Sequence, residues 1–235
     1  MSEVPIPAHF VLVHGASHGG WCWYKIRCLL ESIGHKVSCP DLASSGIDPS
    51  DADTIFTFQE YNKPLHDILT SLPAHEKVIL VGHSAGGQNL TDAIYNFPEK
   101  VQVAVFVAAK MLRNGSQTEQ DINEASGFLL LENLIRLQTT KYGTMVMEKG
   151  VTILQLDCTL AAMLLRPCPI RALSEAMFTD DKDSDKVRRV YIKTLHDNMA
   201  SLEFQESMIK KWPPSDVYTI DSDHCPMFSN PSQLF

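Results

Sequence analysis

The sequence predicts an α/β fold on a mostly parallel sheet, with a helical segment inserted over one end of it. Three observations carry that prediction. Short continuous runs of apolar and β-branched residues recur along the 235 residues. Stretches with helical spacing separate these runs. From Lys110 to about Asp185 the alternation lapses, and helix and loop patterns take over. Unbroken apolar runs of about four to eight residues suit strands covered on both faces. Strand alternating with helix makes neighbouring strands parallel.

Taken in order, the strand candidates begin with His9–Val13, which stops at His14-Gly15. Lys36–Cys39 follows the Gly34-His35 turn and stops at Pro40-Asp41. Lys77–Val81 stops at Gly82, and Val101–Ala108 is almost wholly small or β-branched. Val187–Thr194 and Val217–Ile220 complete the set. The helical stretches are Trp21–Ile33, Phe58–Leu72, Ala85–Phe97 and Ala200–Lys211, the last stopped by Pro213-Pro214. This divides the chain into a first core segment (1–109), a helical cap (110–185) and a second core segment (186–235).

A chain that is 44% hydrophobic and 20% charged is neither disordered, nor a coiled coil, nor collagen-like. Its length suits one domain with an insertion. Twenty basic against 28 acidic residues give a net charge of −8, which repels phosphate backbones and argues against nucleic acid as a partner. No apolar run approaches the roughly 18 residues of a membrane span, and the N-terminus lacks a basic signal region. A cytoplasmic protein that avoids membranes is expected. The six cysteines form neither a CxxC pair nor a zinc spacing, so reduced thiols are expected.

The residues that carry chemistry are Gly82-His83-Ser84-Ala85-Gly86. The bare G-x-S-x-G pattern is weak, but its setting is strong, because a strand leads directly into it and a helix directly out. That is the context of a nucleophile elbow, in which Ser84 stands at the tip of a tight turn flanked by glycines. The Ala85 N–H would open the helix and face a developing oxyanion. A serine needs a base, and in such an elbow the partners follow in the order serine, acid, histidine. Only His196 and His224 come after Ser84. His224, on the loop past the last strand, is favoured over His196. Asp197, after the preceding strand, is the expected acid, with Asp221 and Asp223 as rivals too near His224 in sequence to reach its Nδ1 easily. The glycine-rich loop after the first strand, His14 to Gly20, offers the Ala16 N–H as second oxyanion donor. Gly15 and His83 are expected beside the substrate. His14-x-x-x-His18 has a metal-like spacing, but it lies on a loop and not a helix, so no metal and no cofactor are expected.

Several stretches make the chain recognisable: His9-Phe-Val-Leu-Val-His-Gly-Ala, His18-Gly-Gly-Trp21, Asp41-Leu-Ala, Ser45-Gly-Ile-Asp-Pro49, Glu76-Lys-Val-Ile-Leu-Val-Gly-His-Ser84, Arg189-Val-Tyr-Ile192 and Asp223-His224. The chain resembles the plant methylesterase and hydroxynitrile lyase family of α/β-hydrolases. The resemblance covers both halves of the sheet well and Lys110–Asp185 poorly. It implies an α/β-hydrolase fold with a six-stranded core and a helical cap, which in this chain is shorter than the family norm. It assigns Ser84, Asp197 and His224 as a triad, with Ala16 and Ala85 as oxyanion donors. The family's cyanohydrin lyases carry a threonine where this chain has Gly15, and in one branch a lysine where it has Cys225. The family's decarboxylating members have lost the serine and the acid. Hydrolysis of a small hydrophobic methyl ester, of the plant hormone or carbomethoxy alkaloid type, is therefore expected. The alternatives are a hydroxynitrile lyase, ester cleavage coupled to decarboxylation, and a non-catalytic binder. Relatives continue past the position of Phe235 into a final helix, so none is expected here, and a homodimer is one way to compensate.

Overall fold

The computed structural model describes residues 7–113, 155–178 and 184–235. Six strands form one sheet: β1 (His9–Val13), β2 (Lys36–Ser38), β3 (Val78–His83), β4 (Val101–Val107), β5 (Arg188–Thr194) and β6 (Asp216–Ile220). Their order is β2-β1-β3-β4-β5-β6, and every neighbouring pair is parallel. The sheet is thus wholly parallel, a step beyond the "mostly" read from the sequence.

The central strands β1, β3 and β4 are covered on both faces, which explains their apolar runs, whereas β6 at the sheet edge leaves Val217, Tyr218 and Thr219 exposed. Successive side chains of a strand point to opposite sides. Val11, Val13, Leu80, Ala104, Phe106 and Tyr191 pack on one side against Leu65 and Leu69 of α2 (Phe58–Ser71), Leu90 and Ile94 of α3 (Gly86–Asn96) and Phe204 and Met208 of a later helix, Leu202–Lys211. Leu12, Val81 and Val107 pack on the other against Ile26 and Leu30 of α1 (Tyr24–Ser32). The predicted helix Trp21–Ile33 is in fact two pieces, a tight 3-10 turn over Gly20–Trp23 and then α1. The start of α2 was written in the sequence. Thr57 accepts from the Glu60 N–H, and the Glu60 carboxylate accepts from the Thr57 N–H at 2.9 Å, a reciprocal cap.

The cap expected over 110–185 falls largely on residues 114–154 and 179–183, outside the described residues. Its described part holds α4 (Gln155–Leu164) and α5 (Ile170–Ser174). Side chains tie this part to the core, Gln88 Nε2 among them, which donates to Leu173 O at 3.0 Å. Asp157, 1% exposed, accepts from Tyr24 Oη and Lys25 Nζ, both at 2.6 Å. Arg166 donates to the carbonyls of Gly46, Asp48 and Ser50, and its backbone N–H donates to Ser17 O at 3.0 Å.

The helix Leu202–Lys211 is α6. After β6 come α7 (Pro226–Ser229) and α8 (Pro231–Leu234), each opened by a proline. Both precede Phe235, so they form part of the segment after β6 and are not the final helix that relatives were expected to carry beyond that residue. Met227 and Phe228 bury against the α1 side of the sheet, and Leu234 packs beside them. Among the described residues no helix is long and apolar enough to cross a membrane.

The loop after β2 shows how tightly the site's surroundings are fitted. Gly46 has φ +54, and a Cβ there would lie 1.9 Å from Asp41 Oδ1. Asp41 is already engaged, accepting from the N–H groups of Gly20 at 2.7 Å and Ile47 at 3.2 Å. Gly46→Ala adds left-handed strain to a collision with the Asp41 side chain. It is expected to cost about 3 kcal/mol, against about 1 kcal/mol for Gly34→Ala. Gly34 has φ +92 but open space around it. Denaturant melts of the two variants side by side check the difference, and equal losses would leave only the backbone term.

Candidate active site

In an open parallel sheet, ligands gather at the carboxyl ends of the strands, near the point where strand order reverses. Here that point lies between β1 and β3, and the candidate catalytic residues all follow the ends of strands.

β3 runs through His83 and turns sharply into α3, leaving Ser84 at the corner with φ +55. A non-glycine residue in that region costs about 1–3 kcal/mol. The surroundings impose it: the Ser84 N–H donates to Val107 O at 3.1 Å, and its carbonyl accepts from the N–H groups of Gly87 and Lys110. The flanking glycines are steric requirements. A Cβ on Gly82 would meet Leu90 Cδ1 at 2.5 Å, and one on Gly86 would meet His14 O at 2.7 Å.

Ser84 Oγ lies 2.9 Å from His224 Nε2, and His224 Nδ1 lies 2.8 Å from Asp197 Oδ2. The carboxylate accepts the Nδ1–H, which leaves Nε2 bare and able to take the serine proton. Asp197 is held firmly. Its Oδ2 also accepts from Thr194 Oγ1 at 2.9 Å, and its Oδ1 accepts from the N–H groups of Met199 and Ala200 at 2.8 and 2.7 Å. Burial pushes its pKa up. The charge and hydrogen bond of His224, then the Ala200 N–H and the Thr194 hydroxyl, outweigh this and leave it below the usual carboxylate value. For His224 burial works to lower the pKa, but the charge and hydrogen bond of Asp197, with the charge of Asp223, carry it above the ordinary imidazole value.

The rival residues lie elsewhere. His196 pairs with Asp221 at 2.8 Å on the surface, both well exposed. Asp223 is turned into its own loop, accepting from the Cys225 N–H at 2.9 Å and Ser229 Oγ at 2.7 Å.

Ala16 and Ala85 are both buried, Ala85 directly follows the serine, and a Cβ on Gly15 would sit 3.0 Å from Ser84 Cβ. His83 departs from its expected place next to the substrate. Its ring is 1% exposed, and Nε2–H donates to the backbone carbonyl of His224 at 2.6 Å. Along the strand leading into the elbow, side chains alternate. The residue before the serine therefore faces the protein and braces the base from behind. His14 and His18 are likewise held by backbone: His14 Nδ1–H donates to Gly15 O and His18 Nδ1–H to Ala16 O. Burial lowers the pKa of all three, with His18 near 4 and His83 well below its ordinary value. They stay neutral at working pH, and His224 is the ring in this group that gains affinity for a proton. Among the described residues no group of three or more His, Cys, Asp and Glu is placed to hold a metal ion.

Sequence reasoning missed Gln205. It is fully buried in α6, donates to Thr194 O, Thr194 Oγ1 and Ala200 O, and accepts from the Thr194 N–H. It thereby aligns the groups that hold Asp197. Its signal was a polar residue on the same helix face as Phe204 and Met208.

The model of the alpha/beta hydrolase family matches residues 10–235. Methylesterase 17 of Arabidopsis thaliana is 47% identical over 246 residues, covering 97% of this chain and 89% of the relative. The crystal structure of methylesterase MES16 from Arabidopsis superposes with a TM-score of 0.80 at 36% identity, covering 97% of this chain and 95% of the other. Polyneuridine aldehyde esterase gives 0.79 at 32% identity, with 97% and 96% covered. Likeness of this depth over nearly the whole length, in sequence and in backbone alike, means that the chain belongs to the alpha/beta hydrolase family, among its plant methylesterases.

Proposed function

We propose that this protein is a serine carboxylesterase that hydrolyses the methyl ester of a small hydrophobic acid through an acyl-enzyme. The observation that carries the reading is the continuous relay from Ser84 Oγ through the His224 ring to a fully engaged Asp197 carboxylate. Ser84 Oγ attacks the ester carbonyl while His224 Nε2 takes its proton. The oxyanion forms against the N–H groups of Ala16 and Ala85, and one such donor contributes about 3–4 kcal/mol to the barrier reduction. His224 returns the proton to the departing methoxide, which leaves as methanol. Water then attacks the acyl-enzyme by the same route and releases the acid.

The relatives named methylesterases support the methyl ester as substrate. Gly15 and Cys225 favour hydrolysis over cyanohydrin cleavage, since neither supplies a hydroxyl or a cation for cyanide. The acyl part is of plant hormone or carbomethoxy alkaloid type, the latter supported by the likeness to polyneuridine aldehyde esterase. The proposal takes residues 110–185 as the cap over the acyl pocket. It includes cytoplasmic residence, in keeping with six free thiols, and it allows a homodimer.

A panel of methyl esters incubated with the protein, followed by mass spectrometry, is expected to yield free acid and methanol from at least one member. A fluorophosphonate probe in the same preparation is expected to label Ser84. Labelling of another residue, or a panel left intact by a probe-reactive protein, would remove the ester from the proposal.

A further inference from the structure

We propose that His14 is a positioning residue for the oxyanion hole: its ring fixes the Gly15–Ala16 peptide so that the Ala16 N–H faces Ser84. The inference deepens the esterase reading above and rests on it.

A trans peptide holds its C=O and N–H in one plane and pointing opposite ways, and the described backbone contains no cis bond. Whatever fixes the Gly15 carbonyl therefore fixes the direction of the Ala16 N–H. His14 Nδ1–H donates to that carbonyl at 2.8 Å, and the His18 N–H joins it at 3.3 Å. The His14 tautomer is not free. Its Nε2 accepts from the Leu42 N–H at 3.1 Å, so Nε2 must be bare and the proton must sit on Nδ1. Leu42 follows Asp41, whose carboxylate binds the Gly20 N–H at the other end of the same loop. The loop after β1 is thus tied at both ends to the segment after β2.

The contact also acts electronically. A donor on the carbonyl oxygen polarises the amide and strengthens its N–H as a donor on the far side. His14 has no exposed surface, and burial keeps its ring neutral across the working range. It therefore supplies a fixed dipole that does not add a charge beside His224. The close approach of Gly15 to Ser84, with room for no Cβ, puts this peptide directly against the nucleophile. The two ring nitrogens of His14 are engaged with Gly15 O and the Leu42 N–H, not with the serine or its base.

Three variants separate positioning from mere loop stability. His14→Asn keeps an N–H at the place of Nδ1. His14→Gln fills the same space but carries its amide one bond further out, towards Leu42. His14→Ala removes both. With p-nitrophenyl butyrate, Ala and Gln are expected to lower kcat by roughly 10–100-fold, less than the roughly 10²–10³-fold for outright loss of an oxyanion donor, because the Ala16 N–H is misaimed and not removed. KM should shift little, and Asn should recover most of the rate. An alkyl trifluoromethyl ketone, which adds to Ser84 Oγ and places an oxyanion in the hole, should lose affinity in step with kcat/KM. Asn and Gln performing alike, or ketone affinity holding while kcat falls, would overturn the role of His14 even if His14→Ala does not fold. No turnover and no Ser84 adduct in the wild-type protein would overturn the esterase reading, and the inference with it.

Discussion

Ser84→Ala is expected to lower kcat by about 10⁶-fold on any ester the protein accepts, leaving a residue of rate from the oxyanion donors and substrate binding. The size follows from the absence of a substitute among the described residues around His224. The other hydroxyl of the neighbouring loop, on Ser17, belongs to a different turn, and the buried thiol of Cys225 has its pKa pushed far up by burial and by the charges of Asp223 and Asp197. A thiol held in that state is inert as a nucleophile. The fold should survive. Alanine keeps the left-handed corner that serine already occupies, and the substitution removes the serine's hydrogen bond to His224, worth about 1 kcal/mol. Turnover by product mass spectrometry and a thermal melt on the same sample check both halves. A variant that melts as the wild type yet keeps more than about 1% of the rate would place the nucleophile elsewhere.

The path from sequence to this site was short because its signals were local. Each of Ser84, Asp197 and His224 follows a strand that its own apolar run announces, and chain order then leaves few candidates. The strand ends were less legible. Gly82 read as a stop, yet β3 continues through it to His83, since Gly82 and His83 pair with Phe106 and Val107 of β4. The ladder on the neighbouring strand overrides a local preference against glycine. What stayed hidden was decided by contacts between distant segments. Gln205 meets Thr194 only because α6 folds back along β5, and Arg166 meets the 46–50 loop only when the segment around α4 lies over it. His83 was misplaced for a simpler reason: adjacency to the serine in sequence suggested adjacency to substrate, whereas the alternation of a strand turns that ring the other way.

Asp197→Asn is expected to lower kcat by about 10⁴-fold while leaving the loop intact. The amide oxygen can still accept from the Met199 and Ala200 N–H groups, which preserves the turn after β5. The amide nitrogen then takes the place of Oδ2. It donates to His224 Nδ1 instead of accepting from it, and Thr194 Oγ1 can rotate to accept. With Nδ1 bare, the proton moves to Nε2, where it points at Ser84 Oγ. The base is then present but blocked. The pH profile gives a second, independent reading. His224 works deprotonated, so kcat/KM rises with pH through its pKa, which in the wild type lies above 6.5 because the charge and hydrogen bond of Asp197 outweigh burial. Removing that charge leaves burial opposed only by Asp223, so the rising limb must move towards acid as its plateau falls. A structural lesion would lower the plateau without moving the limb. A limb that stays in place in the asparagine variant would mean that Asp197 does not govern the charge state of His224, whatever the distance between them.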